Sequence, residues 1–340
     1  MKIIPHTSSI PQMLNFLRDL KNQRASKEDL VKLLNHPDYD YEFKRYALPS
    51  KEPLVEYLMQ LNTIYPEDIP ELTPKQRQFM LRHKHSKWLA AYENPGYYES
   101  LHNKINTYLT EDLLENICIS VTNGLPDGVE TDNIRAISTM SIGTSFGYVY
   151  DGAFHFDIMG IDDGKLDTLP ELIAHEVHHL VFMKYISAFY DSLTPEERYI
   201  FNFSGEGLAI KFCNNAKGAI SKQIDASKPA NTGLDAFSMK YLNERFHECY
   251  LVFEDTLDKI RAGKMNDDDI SKQFNDFWLK FHIEGQTPND EPALKQPRMY
   301  SFGNDLYGSI YDAYGKDVLF DCVQHPLKAL KYFTDIVNNI

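Results

Sequence analysis

The run Leu172-Ile-Ala-His175-Glu176-Val-His178-His179-Leu180 brings together the residue types that hold a metal ion and move a proton. His175 and His179 stand at i and i+4. On a helix those positions share one face, so both imidazoles can reach a single ion. Glu176 follows the first histidine and falls beside the ion rather than on it. That is the place for a general base acting on a metal-bound water. His178 points to a different face and reads as a supporting or structural residue.

Catalytic zinc takes three protein ligands and keeps one position open. The extended motif that supplies a third histidine shortly after the second fails here, because Phe182 stands at its glycine position and Tyr185 at its histidine position. A carboxylate returning from a second helix is the other common solution, and Ser204-Gly205-Glu206-Gly207-Leu208-Ala209 offers one. Glu206 sits near the start of an apolar helix, and the glycines on either side allow close approach to a neighbouring helix. Ser192-Leu-Thr194-Pro-Glu-Glu197 between the two motifs reads as a turn and a fresh helix start. The plainer reading of Glu206 is an acid at a helix N-terminus, favoured by the dipole. The conjunction of the two motifs favours the ligand reading.

The order His175-Glu176-x-x-His179, then Gly205-Glu206-Gly207-Leu208-Ala209, resembles the gluzincin metallopeptidases, the group that includes thermolysin. It is closer still to uncharacterised bacterial zinc-dependent peptidases with a later Tyr-x-x-Gly helix. Here Tyr300-Ser-Phe-Gly303 supplies that element, followed by His325-Pro326, and Leu34-Asn35-His36-Pro37 is a weaker candidate for inclusion. The resemblance spans about residues 115–335. It implies Zn²⁺ held by His175, His179 and Glu206, with Glu176 as general base and a zinc-bound water as nucleophile in peptide-bond hydrolysis. Tyr300 is the implied stabiliser of the oxyanion, with Tyr307 second. In thermolysin-like enzymes an aspartate four residues after the glutamate ligand orients a histidine. Here that position is Ile210, so the partner that fixes ligand orientation must come from elsewhere. A zinc hydrolase of a non-peptide substrate and a non-catalytic binding protein on the same fold remain as alternatives, since fold does not fix substrate.

The elements that must position these residues are partly legible. Thr168 can cap a helix with Glu171 at the capping-box position and Pro170 in the first turn. The helix that follows is apolar almost all round, which predicts burial. Buried imidazoles need partners, and a metal provides one. Upstream, Ser145 to Tyr150 and Ala153 to Ile158 flank Asp151-Gly152, a strong hairpin signal. His155 in that hairpin reads as a satisfied strand histidine. Ile117-Cys-Ile-Ser-Val121 and Ile137-Ser-Thr-Met140 are further strand candidates. By the resemblance, a sheet edge beside the metal helix binds extended peptide, whose backbone can join unpaired N–H and C=O groups.

The remainder reads mainly as helix: 10–22, 27–35 capped by Ser26, 54–61, 74–92, 97–109, 110–116, a strongly periodic stretch from Leu242 to Ile260 ending at Gly263, and 270–283. His83 and His85 are two apart and read as surface residues. The stretch 285–298 is the most loop-like, and it directly precedes Tyr300. Together these features predict an α+β, mostly α-helical fold. It has a zincin-like core with a small mixed or antiparallel sheet and an active-site helix carrying the histidine motif. The expected division is a helical region over 1–112 and a metallopeptidase domain over 113–340. Within the latter, the sheet is expected at about 117–158, the metal helices at about 169–216 and C-terminal helices at about 235–338.

Composition is that of a folded soluble protein and argues against some partners. Of 340 residues, 43% are hydrophobic and 25% charged, the balance of a globular chain. The formal net charge of −14 argues against a nucleic-acid partner, which needs basic patches. No apolar run approaches membrane-spanning length. Cys118, Cys213, Cys249 and Cys322 are far apart and form no close pair, so they read as free thiols in a reducing compartment. With no secretory apolar segment at Met1-Lys-Ile-Ile-Pro-His, a cytoplasmic location is expected. The partner expected is a peptide or protein substrate, with no membrane and with the oligomeric state left open.

Overall fold

Asp151 and Gly152 both adopt positive φ, 48° and 69°, the backbone that a two-residue hairpin turn demands. In the computed structural model this turn joins β3 (Gly147–Tyr150) to β4 (Ala153–Asp157), with Tyr148 opposite His155. The structure describes residues 1–69, 81–143, 146–161, 163–224, 236–280, 294 and 296–339. They are mostly helical around a four-stranded mixed sheet of order β1-β2-β4-β3, the α+β fold expected. Strand β2 (Ile134–Thr139) lies parallel to both β1 (Ile3–His6) and β4, while β3 forms the antiparallel edge. Every residue of β4 is buried, as expected of a strand covered on both faces.

Two local expectations are corrected. The run Ile117-Cys-Ile-Ser-Val121 is not a strand; it belongs to the helix Glu111–Asn123. Leu114, Ile117 and Val121 make its buried stripe, while Ile119 is half exposed, a helical rather than a two-residue period. His85 is not a surface residue either. It is buried in the helix Leu81–Glu93, and its Nδ1 lies 3.0 Å from the Tyr57 hydroxyl. Its neighbour in the pattern, His83, is exposed. The first turns of the helix expected from Pro74, the end of that expected to Ile283, and nearly all of the loop expected over 285–298 lie outside the described residues.

The chain divides into two compact units, one of Met1–Asn116 with Asp132–Val177 and the other of Ile117–Thr131 with His178–Ile340. Two of the three boundaries fall inside the helices Glu111–Asn123 and Leu169–Ile186, and the third lies between Thr131 and Asp132. The first unit holds the sheet and the N-terminal helices, including Ser9–Lys21 and Lys27–Leu34, the latter capped by the Ser26 side chain as expected. The second is built on aromatic rings packed mainly edge to face. Phe203 is at their centre, 4.7 Å from Trp278 and 5.3 Å from Phe302, with Phe253 at 5.6 Å and Tyr199 at 5.7 Å. Trp278 closes this core by donating its indole N–H to the Tyr199 oxygen at 2.9 Å. The four cysteines are free thiols, three buried and Cys118 half-buried. Among the described residues, no helix is long and apolar enough to cross a membrane.

His155 is buried, with its ring stacked on Tyr148 at 4.7 Å and tilted against Tyr41 at 5.3 Å. Burial, helped by the nearby Arg135 and Arg45, pushes its pKa down to about 4. A folded-state value below the unfolded one contributes stability present above about pH 6.5 and lost as pH falls toward 4. His155→Phe should therefore flatten the acid limb of stability, removing a pH-dependent contribution of order 3 kcal/mol. Chemical denaturation of wild type and variant at pH 7 and pH 4.5 checks this, and equal slopes in the two proteins would refute it.

Candidate metal centre

The helix Leu169–Ile186 carries the histidine motif through eighteen residues. Ile173, Ala174, Val177, Val181 and Phe182 are buried, and Leu172, Glu176, His179 and Leu180 are half-buried along the opposite stripe. This is the one-sided opening that a reactive helix needs, inside an otherwise apolar surround. His178 is fully buried, and its Nε2 lies 2.8 Å from the carbonyl oxygen of Gly124. A carbonyl only accepts, so Nε2 carries the proton and the ring's tautomer is set. The His178 ring thereby ties the histidine helix to the turn after Glu111–Asn123, which supports the structural reading of this residue.

Glu206 arrives on the helix Ser204–Phe212. One imidazole nitrogen from each of His175 and His179 and one carboxylate oxygen of Glu206 lie within 4.8 Å of one another. The His179 Nε2 to Glu206 Oε2 distance is 3.3 Å. Zinc bonds of about 2.1 Å to nitrogen and oxygen in a tetrahedron place neighbouring ligand atoms about 3.4 Å apart. The donor set therefore fits zinc, the His179–Glu206 spacing matches that of neighbouring ligands, and the three residues expected to hold the ion are the three brought together. Glu176, the residue after His175, is half-buried on the same helix.

Gly207 and Gly303 explain why Glu206 can reach this point. A Cβ on Gly207 would overlap the carbonyl group of Gly303, and a Cβ on Gly303 would overlap the Phe203 carbonyl oxygen. The two helices meet backbone to backbone, which only glycine permits. Gly303 ends the segment Arg298–Gly303, which runs on through a π-helical turn, Asn304–Gly308, into Ser309–Tyr314. Tyr300, three residues before Gly303, packs against the cluster of Ile210, Ala216 and Met239. Ile210 is thus a packing residue at the position where thermolysin-like chains carry an aspartate. Tyr307 is fully buried, and its hydroxyl donates to the Ile200 carbonyl at 3.3 Å.

Asn304 and Asp305 are supports that sequence reading did not single out. The Asn304 amide donates to the Ala216 carbonyl at 2.9 Å. Asp305, buried, accepts from the backbone N–H groups of Ala219 at 3.0 Å and Ile220 at 2.7 Å. Together they fix the chain that leaves the Glu206 helix. A polar pair inside an otherwise apolar helix was the available signal, and π-turns often mark functional regions. A Lys211–Asp312 ion pair at 2.6 Å, largely buried, joins the same two helices.

The family model described as "Putative zinc dependent peptidase (DUF5700)" matches residues 30–340, and the chain belongs to this family. No curated protein and no solved structure matches it. The resemblance to zinc peptidases is thereby supported at the level of the family, and the N-terminal helices from residue 30 onward are part of what the family shares.

Two outcomes test the centre. Glu206→Ala should reduce zinc from about one per chain to a small fraction by elemental mass spectrometry, because three protein ligands define a catalytic zinc. Gly207→Ala should cost about 1–3 kcal/mol in chemical denaturation by forcing the helices apart, and it should weaken zinc binding although no ligand has changed. Unaltered zinc affinity in Gly207→Ala would show that the backbone contact does not set the carboxylate's position.

Proposed function

We propose that this chain is a gluzincin-like zinc metallopeptidase that hydrolyses peptide bonds, with His175, His179 and Glu206 as ligands and Glu176 as general base. The observation that carries the reading is the convergence of two imidazole nitrogens and a carboxylate oxygen within 4.8 Å, beside a glutamate that holding a metal does not require. Zinc, when bound, supplies Lewis acidity toward the scissile carbonyl and makes water acidic near neutral pH.

The chain's own residues do the rest. Glu176 takes the proton from the attacking water and hands it to the leaving amine, which departs neutral. Tyr300 donates a hydrogen bond to the carbonyl oxygen as negative charge grows on it. Its placement three residues before the Gly207–Gly303 contact supports this role, as does its partial burial against Ile210, Ala216 and Met239. Peptide, rather than a small ester, is favoured by the sheet. β3 is an edge strand, and a Cβ on its Gly147 would sit 3.6 Å from the Leu172 side chain of the histidine helix. An extended substrate added to that edge gains backbone hydrogen bonds along its length. The free thiols favour a reducing compartment for the protein.

Glu176→Gln should retain zinc and lower kcat by roughly 10²–10⁴-fold, the range for losing a general base. A digest of a mixed peptide library, read by mass spectrometry, checks it, and wild-type turnover in the variant would overturn the assignment. Tyr300→Phe should lower kcat by about 10²-fold with little change in KM, as expected for a donor that acts mainly in the transition state. The reverse pattern, a raised KM at constant kcat, would make Tyr300 a binding residue.

A further inference from the structure

Three charged side chains outside the metal centre are buried together in the sheet-bearing unit: Glu42, Lys84 and Asp157, each less than 5% exposed. They come from three elements, the helix Pro37–Arg45, the helix Leu81–Glu93 and strand β4. All three converge on one short stretch of backbone, residues 139–143, which leaves β2 and leads toward the edge strand β3.

The grip is nearly complete. Lys84 Nζ donates to the Ser141 carbonyl at 2.6 Å and to Asp157 Oδ2 at 2.8 Å. Asp157 Oδ1 accepts from the Ser141 N–H at 3.0 Å and from the Met159 N–H at 3.0 Å. Glu42 Oε2 accepts from the Ile142 N–H at 2.8 Å and the Ser141 hydroxyl at 3.0 Å, and its other oxygen accepts from the Thr139 hydroxyl. Tyr39 of the same helix and Tyr46 at its C-cap complete it. Tyr39 donates its hydroxyl to the Met140 carbonyl at 3.3 Å, and Gly143 lies so close to Tyr46 that a Cβ there would overlap the ring. Residues 39 and 42 stand at i and i+3 on that helix and Tyr46 caps its end, so one helix face and its cap serve one loop.

Burying this many charges is a poor way to gain stability. Desolvation offsets most of the Coulombic attraction, and apolar packing of the same volume stabilises at least as well. What such a network does provide is a single allowed position for the groups it bonds. We propose that Glu42, Lys84 and Asp157 form a positioning clamp that fixes the approach to β3, and so presents the outer edge of that strand in one register to an extended peptide. The role given to the edge rests on the peptidase reading above; the clamp on the strand does not. By this inference the N-terminal helix Pro37–Arg45 serves the substrate face without touching the zinc ligands.

The test compares zinc-loaded wild type with Glu42→Gln and Lys84→Met by hydrogen–deuterium exchange, with kinetics alongside. Glu42→Gln preserves shape and keeps the experiment decisive if Lys84→Met fails to fold. Exchange over residues 146–150 should rise at least about tenfold, while that of β1 and of the histidine helix stays unchanged and zinc content is retained. For peptides long enough to lie along the edge, KM should rise about tenfold with kcat nearly constant, and the KM of a blocked dipeptide should not move. Unchanged exchange over 146–150, or a uniform rise across the unit, would overturn the clamp. If exchange rises selectively but zinc-loaded wild type cleaves no peptide, the clamp holds and the peptidase reading fails. If peptides are cleaved but all KM values stay level, the edge does not bind substrate.

Discussion

The site depends on the missing side chains where Gly207 meets Gly303. A methyl group on either would occupy the other helix's backbone, so the contact exists only because both positions are glycine. It sets the depth to which the Ser204–Phe212 helix enters, and with it the carboxylate of the neighbouring Glu206. The Phe203 carbonyl sits at the same crossing. It accepts from the Gly207 N–H at 3.1 Å, while the Phe203 ring anchors in the aromatic core. A metal site needs ligand atoms placed to a few tenths of an ångström. Here that placement comes from backbone contact and ring packing, the least compressible parts of a protein.

Ile210 marks a difference from the thermolysin-like pattern. Where thermolysin-like enzymes use an aspartate to orient a ligand through a hydrogen bond, this chain has an aliphatic side chain against Tyr300, Ala216 and Met239. An aliphatic and an acidic residue at this position have different electrostatic consequences. A nearby aspartate would add a negative charge and make its imidazole more basic. An isoleucine adds no charge, so under the proposed ligand set the centre carries one formal negative ligand, Glu206, against the charge of the ion. That leaves more of the ion's charge available to polarise a carbonyl or a water. His178 is likewise a positioning residue, donating its Nε2–H to the Gly124 carbonyl.

The candidate metal cluster was legible in the sequence because its residues are marked locally. The i, i+4 histidines, the adjacent glutamate and the glycine-flanked Glu206 are each encoded within a few residues, and the Asp151-Gly152 turn announces its hairpin for the same reason. The errors have local causes too. Ile117-Cys-Ile-Ser-Val121 is rich in β-branched residues, but its burial is decided by Leu114 and Val121 on one helical stripe. Propensity yields there to tertiary packing. Strand β1 is only four residues long and contains Pro5, which suits an edge position and hides the strand from a pattern search. His85 was assigned by its spacing from His83, yet its burial is set by Tyr57, a residue of a separate helix. The clamp on residues 139–143 was invisible for a stronger reason. Glu42 and the Thr139 and Ser141 groups it binds are separated by about a hundred residues, and nothing short-range marks a charged residue as buried.

These two kinds of positioning divide the labour within the chain. The Glu206 helix is set by contacts that admit no side chain, and the loop 139–143 by contacts that admit only one arrangement of charge. The first tolerates almost no change at Gly207 or Gly303, because the backbone has nowhere to move. The second tolerates change in volume poorly and change in charge worse, since removing Lys84 leaves two buried carboxylates facing one another across Ser141. A hydrolase acting on small molecules would need only the first. A chain that also holds an edge strand in fixed register has the means to recognise a substrate by its backbone. Under the proposed clamp, that edge is what favours a peptide over a small molecule as substrate, in keeping with the putative zinc-dependent peptidase family to which the chain belongs.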